Sequence, residues 1–196
     1  ARTCHAPSTV ALKESIGVAA CTNSLADVIE TDCIVLWGAN PANNQPVFMK
    51  YLYLAKKRGA KVVVVNPYLE PGLERYWVPS SLESGLFGTK ICDLHVPVRP
   101  GGDVALANAA LQRLIERGAG DRAFVDAHTT GWADVEAALG VQRRDDLLAL
   151  AGLTLEQLDA FVDVYAAADA AILLWSMGIT QNTQAVDGVR GIVNLA

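Results

Sequence analysis

Cys4 and His5 stand side by side just ahead of Pro7-Ser8, and a thiol beside an imidazole at the entry to a helix suits metal ligation or redox chemistry. Arg2 flanks the same thiol, so a guanidinium, an imidazole and a helix N-terminus all favour the thiolate. A soft thiolate selects a soft or high-valent metal over magnesium or calcium. Far along the chain, Arg190 adds a forked cation. Taken singly, each residue has an ordinary reading: a small buried hydrophobe for Cys4, a plain imidazole for His5, a helix-face charge for Arg190. Laid out on strands and helices, the three are expected on one edge of a parallel sheet, where such folds place their ligands.

The elements that would position them follow from hydrophobic period and punctuation. Leu12, Ile16 and Ala19 carry a helical period after Pro7, a good first-turn residue, which predicts a helix from there to Val18 with Cys4 and His5 in the entering loop. Asp32 to Trp37 and Ala60 to Val65 are short unbroken apolar runs stopped by turn residues, as strands buried on both faces are. A helix over Gln45 to Arg58, closed by Gly59, joins them into a β-α-β unit. Leu94 to Val98 and Ala170 to Trp175 read as further strands. Asp103 is expected to cap a helix over Val104 to Arg117. Helix starts follow at Asp121, at Gly131-Trp132 and at Thr154, the last with only a loose capping box to Gln157. A final helix from about Thr183 carries Arg190. Tyr68 to Cys92 is irregular and too long for a plain connector, which predicts a functional surface loop. The fold class is therefore α/β, a Rossmann-like parallel sheet flanked by helices, with residues 1–196 forming one domain.

In such a sheet, strand carboxyl ends and helix N-termini line one crevice with free N–H groups and a dipole that favours phosphate. The ends here are Gly38-Asn40, Asn66-Pro67, Gly101-Asp103 and Ser176-Gln181. Gly38, Gly102 and Gly178 would let a ligand approach the backbone. A carboxylate such as Asp103 can accept the two parallel N–H donors of the guanine Watson–Crick edge, so a guanine nucleotide is a sensible guest. Each turn alone is an ordinary strand-to-helix connection; the set of four is what points to a ligand. NAD is disfavoured, because the first turn is GANPAN and the second strand ends in Asn66 rather than an acid. No GxxxxGK[ST] occurs, which disfavours ATP hydrolysis.

Composition narrows the class. With 196 residues, 52% hydrophobic and 19% charged, the chain can bury a large core and is too apolar to be disordered. Its net charge of -5 comes without a basic cluster, against nucleic-acid binding. The apolar runs fall far short of the roughly 20 residues that span a bilayer, so a soluble protein is expected. Cys4, Cys21, Cys33 and Cys92 form no CxxC pair, against a zinc knuckle or disulfide scaffold and for a reducing, cytoplasmic compartment. Cys21, Cys33 and Cys92 are read as structural, and His95 and His128 have no partner at ligand spacing. The chain opens without Met and is still apolar at Ala196, so it is expected to be an internal piece of a longer polypeptide.

The segments ARTCHAPSTVALKESIG, WGANPANNQPV, VVVVNP, RPGGD, LLWSMGITQ and VDGVRGIVNLA together resemble, in order, the motifs of the molybdopterin-dependent oxidoreductases, nearest to formate dehydrogenase alpha subunits. YLEPGLERYWVPSSLESGLFGTK is similar to a formate-dehydrogenase-like branch whose substrate is often unsettled. The resemblance implies that Cys4 ligates molybdenum or tungsten, held also by two molybdopterin guanine dinucleotides. It implies that Arg190 orients formate by a forked hydrogen-bond pair and that His5 assists proton or hydride movement beside the metal. Cofactor contacts are implied at Gly38, Asn40, Asn66, Pro67, Gly102, Asp103, Met177, Gly178 and Gln181. Ala6 departs from the family's usual Gly, and the iron–sulfur cysteine motif is not in this chain. The implied partners are the remaining domains of the parent enzyme, formate or another small substrate, and an electron-transfer partner. A different substrate on the same cofactor, and a non-catalytic nucleotide-binding or structural module, stay open as alternatives.

Overall fold

A computed structural model describes residues 2–196, with side chains from residue 3 onward. Two helices, α1 (Arg2–Ile16) and α2 (Leu25–Glu30), precede β1 (Cys33–Trp37); α3 (Pro41–Asn44) and α4 (Phe48–Lys57) then lead to β2 (Lys61–Val65). An excursion of α5 (Pro71–Glu74), β3 (Arg75–Tyr76), α6 (Leu82–Phe87) and β4 (Thr89–Lys90) returns to β5 (Leu94–Val96). Five helices follow: α7 (Asp103–Arg117), α8 (Arg122–His128), α9 (Trp132–Gly140), α10 (Arg144–Ala151) and α11 (Leu155–Ala166). Then come β6 (Ala171–Trp175), α12 (Met177–Thr180) and α13 (Ala185–Leu195).

The sheet is parallel, with strand order β5-β2-β1-β6 and register running from Cys33 opposite Lys61 and Ala171 to Trp37 opposite Val65 and Trp175. Alternation along the strands divides the core into two. Cys33, Val35, Trp37, Val63 and Val65 pack with α1, α7, α11 and α13, whereas Ile34, Leu36, Val62 and Val64 pack with α2 and α4. Helices on both faces explain why β1 and β2 read as unbroken apolar runs. This is the α/β architecture expected, with all four long-range strands in place. Among the described residues no helix is long and apolar enough to cross a membrane.

Several boundaries move for identifiable reasons. α1 begins at Arg2, so Cys4 and His5 lie in its first turn, not in an entering loop, and Pro7 is inside the helix. Proline lacks an N–H, so its presence there removes one helical bond to the Thr3 carbonyl, and the next carbonyl, that of Cys4, accepts from the Thr180 hydroxyl at 2.9 Å. α4 starts at Phe48, later than Gln45, because Pro46 drives Gln45 out of helical geometry (φ -140°, ψ 58°) and leaves Pro41–Asn44 as a separate turn. The N-cap of α7 is Gly102, not Asp103, whose side chain is engaged elsewhere. The capping box at Thr154 is complete: its hydroxyl accepts from Gln157 N at 3.2 Å, and Gln157 Oε1 accepts from Thr154 N at 3.0 Å. Tyr68 to Cys92 is ordered by its own polar knot, in which the buried Ser84 hydroxyl accepts from Val78 N at 3.0 Å and lies 2.7 Å from Thr89 Oγ1.

The ends of β1 and β6 meet at a pair of glycines. A Cβ on Gly178 would fall 2.6 Å from Gly38 Cα, one on Gly38 would fall 2.9 Å from Gly178 Cα, and Gly38 has φ +60°. Gly178→Ala should therefore destabilise the chain by about 2 kcal/mol or more through backbone overpacking. Gly140→Ala, where nothing lies within 4 Å, should be neutral or stabilising by up to about 1 kcal/mol. Urea unfolding of the two variants checks this; equal midpoints would refute the tight contact.

Candidate functional site at the carboxyl edge of the sheet

The chain runs outward from β1 through β2 to β5 and then returns to the other side of β1 with β6. Such a reversal is a topological switch point, beyond whose strand ends open α/β sheets bind ligands. Gly38-Asn40 and Ser176-Gln181 flank it. The two glycines there are occupied with each other, Gly178 N donating to Gly38 O at 3.0 Å. Gly102 is likewise hemmed in, its absent Cβ falling 2.7 Å from Ala151 Cα. At these three positions glycine admits the chain's own backbone, a different use from the open approach expected for a ligand.

Asn66 is also spent on architecture. It is 4% exposed, and its Nδ2 donates to Ala39 O and to Glu70 Oε2, both at 3.1 Å, tying the end of β2 to the turn after β1. His95 Nε2 lies 2.9 Å from Asn66 O, so that imidazole is structural, and Pro67 beside it is exposed. Asn40 differs: its Oδ1 is buried without a hydrogen-bond partner. A buried acceptor without a donor is costly, so this amide at the crevice is poised for a donor the described residues do not supply.

Asp103 sits at the first position of α7, half-buried, and Oδ1 accepts from Trp37 Nε1 at 2.8 Å. Burial pushes its pKa up, and the hydrogen bonds from the Trp37 indole and its own N–H pull it back. Asp103 lines a shallow surface depression with Gly101, Val104, Ile179, Asn182 and Gln184, whose interior of about 10 Å³ holds about one water. Asn182 and Gln184 were not singled out in the sequence; the available signal was a polar run, NTQ, lying between the last strand-end turn and the last helix.

Cys4 and His5 are exposed on the first turn of α1, and Ser8 one turn on accepts from Trp175 Nε1 at 2.9 Å. Because Cys4 is bonded through Thr180 to α12, it lies at the same edge as Met177 and Gln181, which are exposed and joined by a 3.5 Å contact from Nε2 to Sδ. The side chain of Arg2 lies outside the described residues. Arg190 is not gathered in. Its exposed guanidinium pairs with Glu14 and, at 3.0 Å, with Asp187, and Glu14 is ten residues along α1 from Cys4, about 15 Å of helix. The expected trio is thus a pair at the edge and a cation farther down the neighbouring helix.

Among the described residues no three His, Cys, Asp or Glu side chains cluster as metal ligands. Cys33 and Cys92 are buried; burial, then the charges of Asp93 and Asp32, push the Cys33 thiol up to about 11, and burial raises that of Cys92. Cys21, read as structural, is exposed.

Fold and edge together define an α/β domain that offers a helix-borne thiol and a carboxylate-lined cleft at one switch point. The molybdopterin oxidoreductase family model matches residues 1–196, and the chain belongs to that family. It is 35% identical to Protein YdeP of Escherichia coli (strain K12) over 98% of this chain and 27% of that protein. Formate dehydrogenase H of the same organism is 30% identical over 100% of this chain and 25% of its own length. Acetylene hydratase from Pelobacter acetylenicus shares the fold, with a TM-score of 0.67 and 19% identity over 94% of this chain and 24% of its own. The chain spans about a quarter of the length of the curated relatives it matches.

Thiol accessibility gives a direct check on the edge. Brief iodoacetamide treatment of the native chain should label Cys4 and Cys21 and spare Cys33 and Cys92, with all four labelled in denaturant. Native labelling of Cys33 at the rate of Cys4 would contradict the burial described.

Proposed function

We propose that residues 1–196 form the domain of a bis(molybdopterin guanine dinucleotide) oxidoreductase that binds one guanine dinucleotide and supplies Cys4 as the protein ligand to molybdenum or tungsten, in an enzyme that oxidises formate to carbon dioxide. The observation that carries this reading is the placement of Cys4-His5 and Asp103 at one sheet edge, in a chain of this family. The free Oδ1 of Asn40 and the half-buried Asp103 carboxylate fit a guest rich in N–H and O–H donors. Met177 and Gln181 fit the rim of the same cradle, with Gly38, Asn66, Pro67, Gly102 and Gly178 shaping the turns that hold it. When bound, the metal and its dithiolenes would accept the two electrons.

The chain's own residues would do the rest. Formate, HCOO⁻, yields carbon dioxide, one proton and two electrons; His5 takes the proton, being the imidazole next to the ligand position. Arg190 orients the carboxylate. Its guanidinium already holds carboxylates, those of Glu14 and Asp187, so formate would exchange one carboxylate for another. In the parent enzyme Arg190→Ala should lower formate kcat/KM about 100-fold, chiefly through KM, as loss of a charge-assisted fork does. Steady-state kinetics with dye reduction tests this, and unchanged kinetics would remove formate from the assignment.

A second reading keeps the cofactor and changes the substrate. It is favoured by the distance between Arg190 and Cys4 along α1 and by the higher identity to Protein YdeP than to formate dehydrogenase H. Parent enzyme fully loaded with metal yet inert to formate would establish it. An iron–sulfur cluster and an electron-transfer partner belong to the same proposal, in the parent.

A further inference from the structure

Trp37 is fully buried, yet it ends β1 with its indole N–H directed at a group on the ligand edge. The ring is fixed by the core: it stands edge-on to Phe161, with centroids 6.3 Å apart and planes at 82°. Its position in the sheet is fixed by register with Val65 and Trp175. The donor direction is therefore set by packing, not by the site. Asp103, which receives it, is not spent on capping α7, since Gly102 is the N-cap. Trp37 is the only other side chain donating to this carboxylate among the described residues. An exposed aspartate at a helix start would rotate freely about its last torsion; this one is pinned at Oδ1 while it lines the cleft with Gly101, Asn182 and Gln184. A carboxylate has about four acceptor directions, so the bonds from the Trp37 indole and from its own N–H leave two for a guest.

We propose that Trp37 is the positioning residue for nucleobase recognition, its indole N–H fixing the plane of the Asp103 carboxylate so that it faces the N1–H and 2-amino donors of a guanine set edge-on against the rim of this depression. The inference rests on the guanine reading of Asp103 above. It couples the hydrophobic core to base selectivity through one hydrogen bond. A bond made only to satisfy a buried indole N–H would leave selectivity untouched when removed, and that is the distinction to test.

The 196-residue chain, ¹⁵N-labelled, would be titrated with GDP and with IDP, which lacks the 2-amino group, while its four indole N–H resonances are followed. Three proteins are needed: the wild type, Asp103→Asn, and a chain with Trp37 replaced by benzothienylalanine, which keeps the ring shape and lacks the N–H. The wild type should prefer GDP about tenfold, the worth of one charge-assisted hydrogen bond, and the Trp37 indole signal should shift on binding. Both altered chains should fall to about twofold or less. Preference lost in Asp103→Asn but intact with benzothienylalanine would overturn the role of Trp37 and leave Asp103 as the reader. No binding, or no preference in the wild type, would overturn the guanine reading and this inference with it.

Discussion

Everything at the ligand edge depends on β1 and β6 ending in backbone contact. Gly38 and Gly178 approach so closely that neither tolerates a side chain without displacement, and the bond from Gly178 N to Gly38 O at 3.0 Å continues the sheet past its last paired residues. Packed backbone has few alternative arrangements, so the two turns leaving the switch point are held as one body. From that body, α12 departs toward α1, and the turn carrying Asn40 departs toward α3. A loose junction would let the thiol and the cleft drift apart by amounts that matter to any ligand touching both.

The same edge is braced from beneath by two tryptophans in register. Trp37 and Trp175 end neighbouring strands and pack against the same cluster. Their indole N–H groups reach the first residue of α7 at Asp103 and the buried Ser8 of α1. Indoles can bury a large apolar body while presenting a polar tip, which is what a sheet needs in order to hold helix starts at a fixed height. The helix bearing the candidate metal ligand and the helix bearing the candidate base reader are thus indexed to one pair of rings. Asp103 shows the balance involved: burial disfavours its charge and the indole bond restores part of it.

The sheet was legible because β1 and β2 are unbroken apolar runs between turn residues, and only two-sided burial makes such runs stable in water. Helix starts were legible where a side chain does the capping, as at Asp121 and Thr154. They shift where proline intervenes: Pro7 suggests a first turn yet lies inside α1, while Pro46 delays the helix expected from Gln45 until Phe48. Glycines at strand ends look the same in sequence whether they admit a ligand or another strand's backbone. The close approach of Gly38 and Gly178 is the second use. The bond between Trp37 and Asp103 had no sequence signal, since it joins residues 66 apart through a register that must exist first.

Arg190 shows why placing residues on elements is weaker than placing their side chains. α13 does begin at the ligand edge, and α1 lies alongside it with its numbering rising in the same direction, as the contacts of Ser8 with Trp175 and of Glu14 with Arg190 require. Five residues into α13, however, the guanidinium has a carboxylate neighbour on α1 that is nearer than the edge. Exposed pairs of this kind hold little net energy, because water screens them and both long side chains lose freedom. Glu14 is therefore a weak anchor for the guanidinium, and the pair adds little to the packing of α13 on α1. The direction of the Arg190 guanidinium is thus set by charge, whereas the residue's location on α13 is set by the core residues Val189 and Ile192.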